Sequence, residues 1–247
     1  MNSIHGNGTI KNILYSIGGL VGINLIIFIH EMGHFMCAKL FQVPALSFSL
    51  GFGPALYECT IANTLFKLSL LPFGGYVELD PQALAASSYL AQMIILGAGI
   101  IFNLVFAYII LMYYHMRSTL SSEHNLSLTT TIKTMGQEVS HLVSENKKQQ
   151  SSLLGPIGII ALIGKCLAIN PRLYWFILAI LSLNIALFNM LPLPFFDGGK
   201  ALLITLETLG LTIPSPIIWL ISTIMLALLI LFVARITLND VKRLFLK

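Results

Sequence analysis

Apolar residues in this chain come in long uninterrupted runs rather than in the spaced stripes of soluble amphipathic helices. Four runs reach the length that crosses a bilayer, about 20 residues. They cover roughly residues 12–41, 89–114, 173–190 and 216–234. The pattern predicts an all-α polytopic membrane protein with four transmembrane helices, read as a single membrane-embedded domain over residues 1–247. A further apolar run, 153–164, holds Gly155-Pro156-Ile157-Gly158 near its start. It is too short to span, so a re-entrant or interfacial piece is expected there. Residues 46–80 follow a different rhythm, with short β-favouring runs punctuated by Gly51, Gly53-Pro54, Asn63, Pro72 and Gly74-Gly75. That punctuation predicts small antiparallel strands with tight turns; a plain connecting loop is the simpler alternative. A sheet in lipid would leave backbone groups unsatisfied, so it belongs at the interface or behind helices. An exposed edge of it could take an added peptide strand. Residues 117–152 form the polar loop of the chain, too short for a folded domain of ordinary size. Its His124 and His141 lack ligand spacing and are expected to be solvated.

Composition agrees with the runs. With 56% hydrophobic and 10% charged residues, the chain falls outside the range of ordinary soluble domains. The net charge of +4 is scattered. It suits a protein bordered by anionic lipid, whereas a nucleic-acid partner would need a clustered basic face. The expected location is the cell (inner) membrane, with the lipid bilayer as a permanent partner. Cys37, Cys59 and Cys166 stand singly, which offers neither a disulfide framework nor a C-x-x-C metal site.

The chemistry enters at the end of the first run, as His30-Glu31-Met32-Gly33-His34. Two histidines four apart on a helix share one face, about 6 Å apart along the axis, so both imidazoles can reach one ion. A glutamate beside the first histidine is the usual general base toward a water held by that ion. Inside hydrocarbon these groups are costly unless something compensates them, and a divalent cation does so. Cys37 lies on the same face but about 10.5 Å of rise from His30, too far to close on the same ion; it is expected to pack. A zinc protease needs three protein ligands and an open position. The third run leads into Asn189-Met-Leu-Pro192-Leu-Pro194-Phe-Phe-Asp197-Gly198-Gly199. Two prolines so close end a regular helix, and the freed backbone can present Asp197 as the third ligand. A cap on the helix that follows is the cheaper reading of the same aspartate.

With these blocks assembled, the chain resembles the site-2 protease family of intramembrane zinc metalloproteases, most nearly the bacterial regulator-of-sigma-E proteases. The likeness runs through His30-Glu31-x-x-His34, Gly51-Phe52-Gly53-Pro54, Leu71-Pro72-Phe73-Gly74-Gly75-Tyr76-Val77 and Asn189-x-x-Pro192-x-Pro194-x-x-Asp197-Gly198. It implies zinc on His30, His34 and Asp197, and Glu31 as catalytic base. Asn189 would hydrogen-bond the unwound substrate backbone, and Gly74 and Gly75 would belong to the hairpin region that guides it. The implied activity is hydrolysis of peptide bonds in or near transmembrane segments of single-pass membrane proteins. That is regulated intramembrane proteolysis, with anti-sigma factors or signal-peptide remnants as substrates. The chain departs from the family at Ala98-Gly99-Ile100-Ile101-Phe102-Asn103, where a proline is lost, and at Lys200, where histidine is frequent. The segment between the second and third spans is too short for the PDZ domains of those relatives. Their substrate filter is therefore expected to be absent or supplied by an accessory substrate-selecting protein. A different class stays open on the residues alone: a protease-like metal-binding membrane protein, either a transporter or a non-catalytic scaffold.

Orientation divides the two kinds of argument. The resemblance places residues 42–88 and 195–215 on the cytoplasmic side. Basic residues near the span ends favour the reverse, with Lys39, Lys67 and Lys200 opposed by Lys11, Arg117, Lys133, Lys147, Lys148, Arg235, Lys242, Arg243 and Lys247.

Overall fold

The computed structural model describes residues 4–121 and 155–245, with short helical pieces between 129 and 140. Most of the polar stretch, including His124 and His141, lies outside the described residues. The elements in order are α1 (Ile4–Leu40), β1 (Ala45–Ile61), β2 (Thr64–Leu79), α2 (Pro81–Ala86), α3 (Tyr89–Ser121), α4 (Pro156–Ile169), α5 (Pro171–Asn189), α6 (Asp197–Thr208) and α7 (Ser215–Phe245). Four helical stretches are long and apolar enough to cross a membrane: Leu14–Leu40, Tyr89–Arg117, Pro171–Asn189 and Ser215–Asn239. They match the four predicted runs. The short apolar run after the polar loop forms α4, a helix of 14 residues, well under spanning length.

The β region is built from two long bent strands rather than several short ones, and glycine is the reason. Gly51 and Gly53 both sit at φ +87°, where a side chain would be strained. They let β1 turn without breaking. Its first part pairs on both sides, Phe48 facing Val77 and Phe66, while its far end runs against the start of β2. A two-residue turn, Ala62 and Asn63, closes the hairpin with positive φ at both positions, as tight hairpin turns require. Four aromatic rings join the sheet to α1. Phe28 and Phe35 each lie 5.7 Å from Phe48, and Phe66 lies 5.8 Å from Phe35 and 5.7 Å from Phe48. Ring contacts of this kind add about 0.5–1.5 kcal/mol each beyond area burial. They hold the sheet against the turn of α1 that carries His30 to His34.

The chain packs as two compact units, one of residues 1–23, 107–181 and 228–247, the other of 24–106 and 182–227. In the first, α1 and α4 meet backbone to backbone. A Cβ at Gly19 would run into the Ile160 carbonyl, and one at Gly164 into the Tyr15 carbonyl. Small residues allow such approach where lipid offers no hydrophobic drive for association. From α5, Tyr174 donates its hydroxyl to Gly18 O of α1 at 3.2 Å. The second unit holds every residue of the site described next.

Candidate active site

Three side chains converge in the second unit. His30 Nε2 and His34 Nε2 each lie 3.1 Å from Asp197 Oδ2, and 3.3 Å from one another. Their residues are 6%, 8% and 7% exposed, so polar groups of this kind need a partner. Ligands about 2.0–2.1 Å from a tetrahedral zinc stand roughly 3.3–3.4 Å apart. The observed triangle is close to that spacing, and two imidazoles with one carboxylate are a donor set suited to zinc.

Each vertex has a local cause. His30 and His34 are one helical turn apart on α1, whose apolar run continues through them. Gly33, between them, permits α3 to approach: a Cβ there would sit 2.6 Å from Ala98 O. From α3, the Ile95 carbonyl accepts from His34 Nδ1 at 2.8 Å, which leaves Nε2 of that ring free to bind. Asn103 Nδ2 lies 3.3 Å from His30 Nδ1. Gly99 stands between these two contacts, and a Cβ there would come within 2.7 Å of His30 Cε1 and overlap His34 Nε2. The third vertex comes from the chain break after α5. Turns through Pro192 and Pro194 bring the chain to Phe196, which takes the N-cap position of α6 without a side-chain cap bond. Asp197 then opens α6 with its carboxylate on the two imidazoles. Gly198 and Gly199 are needed for this path, since a Cβ on either would strike the backbone of Met190 or Leu193. Burial works against charge on Asp197, but the imidazoles facing Oδ2 outweigh it and hold the carboxyl below the usual carboxylate range. Lys200 Nζ approaches Oδ1 of the same group at 3.6 Å.

A cavity of about 630 Å³ opens beside the triangle, lined among others by Glu31, Gly74, Gly75, Asn189 and Lys200. Glu31 is half-buried on its wall. Gly75 passes close by: a Cβ on it would be 3.6 Å from Glu31 Cγ and 2.8 Å from Ser49 O. Gly74 has φ +101°, and a Cβ on it would enter the Phe52 ring. Asn189 ends α5 with Nδ2 donating to Ile185 O at 3.0 Å. All seven residues singled out in the sequence therefore meet at one cavity. Cys37 instead packs beside Ala38, Val43 and Ile95. In the sequence, Gly97-Ala98-Gly99 predict a close approach of a neighbouring helix and Asn103 needs a hydrogen-bond partner. That the neighbour is the turn of His30 and His34 leaves no motif, since a carbonyl and a missing side chain carry none.

The family model described as peptidase family M50 matches residues 18–232. The chain belongs to peptidase family M50. A protein of Fusobacterium nucleatum named as a zinc metalloprotease is 22% identical over 336 positions, covering 92% of this chain and 98% of the relative. One from Rickettsia conorii with the same kind of name is 23% identical over 354 positions, covering 93% and 99%. A third, from Borreliella burgdorferi, is 32% identical over 130 residues, but that match covers 45% of this chain and 30% of the relative. The first two alignments are longer than the 247 residues here, so those relatives carry insertions that this chain lacks. This M50 peptidase is a zinc metalloprotease of the membrane, with four helices able to span it.

Proposed function

We propose that this M50 peptidase cuts peptide bonds in or near transmembrane segments of single-pass membrane proteins, at the cavity beside His30, Glu31, His34 and Asp197. The observation that carries the reading is the 3.1–3.3 Å triangle of donor atoms with Glu31 on the wall of the same cavity. Zinc held by His30, His34 and Asp197 would supply Lewis acidity toward water and the scissile carbonyl. Glu31 takes the proton of the attacking water on its carboxylate and delivers it to the leaving amine nitrogen. Its half-buried position beside Gly75 keeps it within reach of a chain lying along β2.

A transmembrane helix hides its carbonyls in its own hydrogen bonds, so the substrate must be unwound before it can be cut. Residues 75–79 of β2 pair with β1, and Gly74 to Val77 also line the cavity. An extended substrate laid there would exchange helical hydrogen bonds for strand-like ones. The absence of a side chain at Gly74 and Gly75 lets its backbone approach. Asn189 can turn its amide from Ile185 O toward the unwound segment. Anti-sigma factors and signal-peptide remnants are the substrate classes that the likeness to regulator-of-sigma-E proteases supports. An accessory protein would select among them. Fragments of membrane proteins compared between wild-type cells and cells carrying Glu31→Gln test the reading. Intact single-pass proteins should accumulate in the variant. Unchanged fragments, with zinc bound in both, would favour a metal-binding scaffold or transporter instead.

A further inference from the structure

We propose that Asn103 is the positioning residue of His30, holding its proton on Nδ1 so that Nε2 can serve as a metal ligand; the inference rests on the zinc site proposed above. Asn103 is 0% exposed, in the middle of a helix long enough to cross a membrane. A buried amide costs stability unless its polar atoms are bonded. Its placement is fixed from behind, because Ser182 Oγ donates to the Asn103 backbone carbonyl at 3.0 Å. Its side chain lies against the outer nitrogen of His30, Nδ2 to Nδ1, at 3.3 Å, while Oδ1 has no partner among the described residues.

The two amide atoms nearly coincide in shape, and their assignment follows from the network around them. With Nδ2 toward the ring, His30 Nδ1 must be the unprotonated nitrogen. Nε2 then carries the proton and cannot bind an ion. Exchanging the two atoms removes the tautomer conflict, with the amide nitrogen taking the position that Oδ1 held. Oδ1 gains a donor, and His30 Nδ1–H gains an acceptor at the same 3.3 Å. The tautomer then matches that of His34, whose Nδ1 can only donate to the Ile95 carbonyl at 2.8 Å. Ile95, Gly99 and Asn103 recur every four residues and so share a face of α3. One face thus supplies both outer acceptors and the gap between them that the rings fill.

Zinc affinity of the purified full chain, measured by competition with a chromophoric chelator, tests this without reference to cleavage. Loss of an outer partner of a ligating histidine weakens metal binding about 10–100-fold, and Asn103→Leu should fall in that range. Asn103→Asp, which keeps an acceptor in place, should bind close to wild type. A leucine variant as tight as wild type, or an aspartate variant as weak as the leucine one, would overturn the proposal. Nitrogen NMR of labelled histidines in the zinc-loaded wild type gives the answer even where Asn103→Leu does not fold. The His30 proton should be on Nδ1; a proton on Nε2, or ligation through Nδ1, would overturn it. Wild type that binds no zinc would remove the metal site itself, and Asn103's role with it.

Discussion

His30, His34 and Asp197 each supply one donor atom to a triangle that a single ion can fill. Removing any one leaves two protein ligands, so His30→Ala, His34→Ala and Asp197→Ala should each bind far less zinc than wild type. Metal analysis of the purified variants checks this, and full occupancy in Asp197→Ala would strike that residue from the set. The role proposed for Asn189 is different. Asn189→Ala should keep its zinc but lose more activity on regular helical substrates than on those with Gly or Pro near the cut. Equal losses on both would show that it does not stabilise an unwound strand. At this scale the sequence was highly legible, because His30 and His34 are linked by helical spacing and Asp197 follows a proline-broken turn. Asn103 was visible only as a polar residue needing a partner. Its contact with His30 spans 73 positions and depends on how α1 and α3 pack.

Among the elements, α3 does more than its apolar run suggests. It approaches α1 where Gly33 and Gly99 remove side chains, and the imidazoles occupy that space. Gly99→Ala should therefore displace the rings, at about 1–3 kcal/mol of overpacking strain. The variant should keep its helix content by circular dichroism yet bind zinc at least several-fold more weakly. Unchanged zinc affinity would mean that the rings have room to move. The spans and the short α4 were readable because run length is a local property. The pairing of β1 was not. Gly51 and Gly53 marked turns in the sequence, whereas in the fold their positive φ bends one continuous strand. That Phe48 has partners on both sides depends on tertiary packing against Phe28 and Phe35, which no short window contains.

For the whole molecule, the four spans leave orientation to be measured, since family likeness and basic-residue bias point opposite ways. Cys59 in β1 is a native probe, once Cys37 and Cys166 are replaced by Ala. With the family's orientation, an impermeant maleimide on intact cells should leave Cys59 unlabelled until the membrane is opened, while Ser121→Cys labels at once. The opposite pattern would place the cut near the outer face. Either orientation keeps the same proposed chemistry, in which Glu31 is the general base. The most direct test is cleavage of a transmembrane peptide by purified wild type and Glu31→Gln, with zinc measured in the same samples. General-base loss should lower turnover about 10²–10⁴-fold, with zinc content and fold unchanged. Near-normal turnover by zinc-loaded Glu31→Gln would contradict a hydrolase built on this site.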